Sequence, residues 1–270
     1  MITKAAKNPI QKTARFAAFL YLLIAVIAGF TYFYVPSQLI VPGDAAATAS
    51  NIQASGSLFR LGIGGELIIF LSEIVLSVLL YFIFQPVSKT LSLIAAVSRL
   101  AMTAVHALNL LNHLIALLLL SGAAYLTVFE PAQLNTFAML FLDAHGIGYT
   151  IGIVFFALST GTLGYLIFKS GFLPKALGGL FLVASLGYFI DSFSLLLNPS
   201  WKDTPVLIAM TIAIAEIAFP IWLLTKGVNT EKWEKRMLES AELQPHRSGK
   251  DGGFEPGPVG QLIADPQPRK

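Results

Sequence analysis

The sequence contains no cysteine. That one absence removes disulfides, thiolate metal sites, iron–sulfur clusters and cysteine nucleophiles together. Any chemistry must rest on oxygen donors and on imidazole, of which the chain has four. Charge is scarce as well: Asp, Glu, Lys and Arg make up 12% of the residues, against ~25% in ordinary soluble domains. No G-x-S-x-G, Walker loop or H-E-x-x-H appears, so the common hydrolase, nucleotide and zinc-protease signatures are absent. Gly62-Ile63-Gly64-Gly65 is no dinucleotide fingerprint, because it lies inside an apolar run with no strand before it. An inverted repeat of broken helices, the mark of many transporters, is not discernible either.

What remains is apolar: 55% of the residues are hydrophobic and the mean hydropathy is +0.71. This is an integral membrane composition, and the lipid bilayer is the expected partner. The net charge of +3 does not point to nucleic acid, since the basic residues gather at the ends of apolar runs rather than on one face. No cofactor is implied.

A hydrocarbon core about 30 Å thick takes roughly 20 apolar residues as a helix, because every backbone polar group must bond within its own segment. Six stretches qualify: 16–35, 58–84, 91–120, 138–168, 176–197 and 205–224. The expected fold is therefore an all-α membrane bundle of six helices. The first stretch follows Lys4, Lys7, Lys12 and Arg15 like a signal peptide. However, the weak Ala28-Gly29 site runs straight into Phe30, Tyr32, Phe33 and Tyr34, so an uncleaved helix is expected. Lys89, Lys169, Lys175, Lys226, Lys232, Lys235 and Arg236 fall on the side of the termini, while Lys202 and Arg60 fall on the other. The positive-inside rule then puts both termini in the cytoplasm, with the protein multi-pass in the cell membrane. In the first external connection, Asp44 after Pro42-Gly43 reads as the N-cap of a short amphipathic surface helix, a clasp or lid over the bundle mouth. Residues 1–227 form the membrane domain. Residues 228–270 are expected to be a polar cytoplasmic helix followed by a disordered tail rich in Gly and Pro over 246–270.

Ionisable residues occur within the spans. Arg99, His106 and His113 are seven apart and form one stripe with Asn109, while Glu66 and Glu73 form another with Arg60 one position off. Counting from the cytoplasmic ends puts Glu73 at ~16 Å and Arg99 at ~13 Å, and Glu66 at ~27 Å and His106 at ~24 Å. The matched depths predict a Glu73–Arg99 ion pair and a Glu66–His106 hydrogen bond. Asp191 and Glu216 fall at ~23 and ~15 Å and complete an acidic core. Pro220, four residues after Glu216, frees a carbonyl there. Of these four acids, three are left unmatched by the one fixed cation, Arg99, unless His106 is protonated, so either some acids are kept neutral by burial or a proton, cation or small cationic solute is bound. Three functions stay open: a small transporter or ligand-binding membrane protein, a membrane-embedded metal-dependent hydrolase of a lipid or amide, and structural glue between helices.

The hydrolase alternative rests on His113, Asp143 and His145, two imidazoles and a carboxylate near the external face, with Glu66 as general base. Asp143 and His145 are two apart and converge only if their helix begins irregularly at Gly146. Glycines punctuate the spans, and Gly148-x-x-x-Gly152 has the spacing that lets membrane helices approach closely.

The strings LIVPGDAAATASNI (39–52), SLFRLG (57–62), LPKALGGL (173–180) and GYFIDSF (187–193), together with Glu216, carry a resemblance. Over about 13–226 the chain resembles the domain-of-unknown-function 4386 family of prokaryotic multi-pass membrane proteins. The resemblance implies a six-helix membrane bundle and directs attention to Asp44, Arg60, Asp191 and Glu216.

Overall fold

A computed structural model of the chain describes residues 9–198, 200, 201 and 204–242. Lys4, Lys7, Lys202 and the tail expected to be disordered lie outside the described residues. Every regular element among the described residues is helical, and six helices are long and apolar enough to cross a membrane. These are α1 (Pro9–Leu39), α3 (Gly56–Phe84), α4 (Lys89–Leu119), α5 (Pro131–Ser170), α6 (Lys175–Leu197) and α7 (Val206–Thr225). Two further helices flank the bundle, α2 (Ala45–Ala54) between α1 and α3, and α8 (Thr230–Glu242) after α7.

Local chemistry sets the helix ends. Asp44 accepts from the Ala47 N–H at 2.9 Å and starts α2, as its position after Pro42-Gly43 predicts. Ser88 does the same for α4 through Leu91 at 3.3 Å. Glu130 and Gln133 form a reciprocal capping box with Pro131 at the first turn. This box starts α5 seven residues before its apolar run, so α5 reaches 40 residues, or ~60 Å. It ends at Gly171, whose φ of +74° only glycine adopts freely.

Consecutive spans pack side by side, and α1 closes the arrangement by lying against both α3 and α7. The start of α1 and the end of α7 meet at one end, the end nearer the termini. Gln11 Nε2 donates to the Lys226 carbonyl at 3.2 Å, and the Val228 N–H donates to Gln11 Oε1 at 3.1 Å. At that same end α8 is fastened under the bundle by Trp233 Nε1 donating to the Ile83 carbonyl and Arg236 to that of Lys169. At the opposite end α2 buries Thr48, Ala49 and Ile52 and packs on α5, as a clasp would.

Two apolar clusters fill the interior. One, at the end with the termini, includes Leu80, Phe84, Leu166, Phe181 and Phe219; the other, at the opposite end, includes Leu39, Ile52, Phe59, Leu110 and Leu142. Buried polar side chains of α1, α3, α4 and α5 lie between them, among them Thr31, Glu66, Glu73, Arg99, His106 and His145. Close helix approach is achieved between α5 and α6. A Cβ on Gly178 would stand 2.6 Å from the Phe168 nitrogen, and one on Gly164 would stand 2.9 Å from the Leu182 nitrogen.

Candidate functional site

The polar layer holds two groups. In the first, Glu73 of α3 receives both Nε and Nη2 of Arg99 of α4, the latter at 3.0 Å. The two residues face each other as their matched depths require. Arg99 also lies between the rings of Tyr21 and Phe156, with its guanidinium carbon 4.9 Å from each centroid. Its Nη1 has no hydrogen-bond partner among the described residues. Tyr21 donates to Glu216 Oε2 at 2.6 Å, which joins α1 and α7 to the pair.

The second group lies about two helical turns further from the termini. His113 Nδ1 is 2.9 Å from Glu66 Oε1 and His145 Nε2 is 3.3 Å from Glu66 Oε2, so one carboxylate meets an imidazole at each oxygen. The two rings stack with centroids 3.5 Å apart. One ligand atom from each of the three residues falls within 4.8 Å of the others. Each residue comes from a different helix, α3, α4 and α5.

This second group corrects the expected Glu66–His106 bond, because His106 Nε2 instead bonds the Tyr149 carbonyl at 3.0 Å. Matching Cα depths neglects the lean of helical side chains toward their own N-terminus. The chains of α3 and α4 run oppositely, so Glu66 leans away from the termini while residues of α4 lean toward them. His113, at ~34 Å by the same count, comes down to meet Glu66, and His106 leans away from it. Arg99 escapes this limit because its side chain is long.

Asp143 is also corrected as a ligand. The helix α5 starts at Pro131 and is regular at this point, so residues two apart project oppositely. His145 is buried and Asp143 is exposed; the carboxylate beside the imidazoles is Glu66. Asp191 is not part of an acidic core either. It accepts from Trp201 Nε1 at 3.1 Å and Thr204 Oγ1 at 2.7 Å, tying down the α6–α7 connection. Arg60 is exposed, and Asp44 serves as the cap of α2.

Gly148 and Gly152 have a different use from close backbone approach. A Cβ on Gly148 would overlap the Asn109 amide, and one on Gly152 would overlap the His106 ring. The bare backbone of α5 lets these side chains reach its carbonyls, with Asn109 Nδ2 donating to His145 O at 2.8 Å.

Two contributors escaped the sequence analysis. Tyr21 carried a weak signal, since a tyrosine deep in a span needs a partner for its hydroxyl. Thr31 carried none. It sits in a π-helical stretch of α1 (Gly29–Tyr34), an irregularity frequent at functional sites. Its Oγ1 is buried without a hydrogen-bond partner among the described residues. With Glu66, His113, Phe59 and Val35 it lines a cavity of about 20 Å³, enough for one water.

A protein of Archaeoglobus fulgidus, described as "Uncharacterized protein", is 30% identical over 163 residues, covering 60% of this chain and 82% of its own length. No solved structure matches the chain. Residues 16–227 match the family described as "Domain of unknown function (DUF4386)", which includes nearly all of the six-helix bundle, and the chain belongs to that family.

Proposed function

We propose that this multi-pass protein is a small transporter-class membrane protein of the cell membrane that binds a divalent transition-metal cation through Glu66, His113 and His145. The observation that carries the proposal is the convergence of two imidazole nitrogens and a carboxylate oxygen from three helices within 4.8 Å. Two nitrogens and one oxygen suit zinc and its first-row neighbours, and leave an open coordination position for water or a fourth donor. Thr31, whose Oγ1 is unpartnered among the described residues, lines the same cavity as Glu66 and His113 and is our candidate for a further oxygen donor. Charge supports the same reading: the side chains that bond Glu66 include no Lys or Arg, and a bound cation supplies a fixed counterion for the carboxylate. With the termini in the cytoplasm, the site lies in the outer half of the membrane.

A hydrolase built on the same metal is less well supported. Its expected general base, Glu66, faces both imidazoles as a ligand would. Among the described residues, Glu66 is also the one carboxylate lining the cavity.

Titration with Co²⁺ tests the proposal. Purified protein in detergent, prepared without chelators, should develop the visible absorption of a low-symmetry Co²⁺ complex at one ion per chain, and added Zn²⁺ should remove it. His113→Ala and His145→Ala should each weaken binding at least tenfold, with Asp143→Asn unchanged. Absence of saturable binding, or binding that survives loss of both histidines, refutes it.

A further inference from the structure

Glu216 stands apart from the imidazole group. Its Oε2 accepts from Tyr21, while Oε1 is buried with no hydrogen-bond partner among the described residues. The ionisable groups acting on it come from five helices: Tyr21 of α1, Glu73 of α3, Arg99 of α4, Tyr149 of α5 and Tyr188 of α6. Arg99 alone is a fixed cation, and Glu73 already takes two of its nitrogens. Two carboxylates therefore share one guanidinium in the membrane interior, and the group is one positive charge short of neutrality.

The missing charge is either a metal ion or a proton. A metal ion needs several oxygen or nitrogen ligands at once. The groups acting on Glu216 among the described residues include no imidazole, and the one other carboxylate, Glu73, is already engaged by Arg99. A proton needs a single lone pair, and Oε1 offers one. Pro220 adds freedom of movement, because it cannot donate to the Glu216 carbonyl and so loosens the turn that carries the carboxyl. Arg99 also lines a cavity of about 10 Å³ with Ser77, Tyr81, Ser92 and Ser159, room for at most one water beside the group.

We infer that Glu216 holds an exchangeable proton, so that the Glu73–Arg99–Glu216 group is a second cation site, specific for H⁺. The site does not depend on metal binding at Glu66. The bond made is O–H on the Glu216 carboxyl and the bond broken is O–H of hydronium in the bathing solution, which is left as neutral water. Both oxygens of Glu73 are taken by nitrogens of Arg99, which leaves Glu216 as the carboxyl with an oxygen open to the proton.

Infrared difference spectroscopy on the full chain in lipid nanodiscs at neutral pH tests this inference. The carbonyl stretch of one protonated carboxylic acid should be present, should shift in D₂O, and should vanish in Glu216→Gln. Glutamine matches the shape of the neutral acid and keeps an acceptor for Tyr21, so far-UV circular dichroism should match the unmodified protein. Tyr21→Phe removes the donor and should move the band to higher frequency, while Asp191→Asn should leave it in place. The inference is overturned if the unmodified protein shows no such band, if the band ignores D₂O, or if it survives Glu216→Gln. It is also overturned if Asp191→Asn removes the band, or if Tyr21→Phe leaves its position unchanged.

Discussion

Arg99 and Glu73 offer the sharpest test of the packing. Both are almost completely buried, at 2% and 3% exposure. A buried charge stripped of its partner costs ~3–5 kcal/mol, whereas replacing both members by apolar groups is often nearly neutral. The two single changes should not be equal here. In Glu73→Leu the guanidinium keeps the rings of Tyr21 and Phe156, each worth ~0.5–2 kcal/mol, and Glu216 can release its proton to serve as the new counterion. In Arg99→Met both carboxyls lose their only cation. Arg99→Met should therefore lie at the upper end of the range and Glu73→Leu at or below its lower end. The double variant should recover ~2–3 kcal/mol relative to their sum, the coupling expected of residues in direct contact. Unfolding of detergent-solubilised protein by titrated SDS measures all three. If the double change equals the sum of the singles within ~0.5 kcal/mol, the two side chains do not share a bond, and the registration of α3 against α4 is wrong.

Further outcomes follow from the same contacts. Gly152→Ala drives a methyl group into the His106 ring and should cost ~1–3 kcal/mol, the usual penalty of overpacking, measured by the same SDS titration. Gly178→Ala should be worse than Gly179→Ala by a similar margin, because the first meets the backbone of α5 and the second meets open space. Asp44→Ala removes the cap of α2 and should lower stability by ~1 kcal/mol, with Co²⁺ binding unchanged. Reporter fusions after Lys89 and Lys175 should be active only as cytoplasmic reporters, and periplasmic activity at either position reverses the orientation.

The class of the protein follows from composition alone. Each span must satisfy its backbone internally, so a run of about 20 apolar residues has one stable form in lipid. For the same reason the six helices, the Asp44 cap and the polar helix after α7 were legible: all depend on neighbours within a few residues. The Arg99–Glu73 pair was legible too, because antiparallel helices joined by a short turn have their depths set by counting, and a long side chain tolerates the error.

The rest was decided by tertiary structure. Whether Glu66 meets His106 or His113 depends on which way two side chains lean, a few ångströms that counting does not resolve. Whether Asp143 or Glu66 joins the imidazoles depends on the start of α5, set by the capping box at Glu130 and Gln133 rather than by the apolar run. Asp191 left the core because a loop placed Trp201 and Thr204 against it. Tyr21 and Thr31 come from a helix far away in sequence, and no local pattern marks which of its faces turns inward. Local rules choose the helices, while the polar core is a property of helices meeting, fixed by the reach and direction of individual side chains.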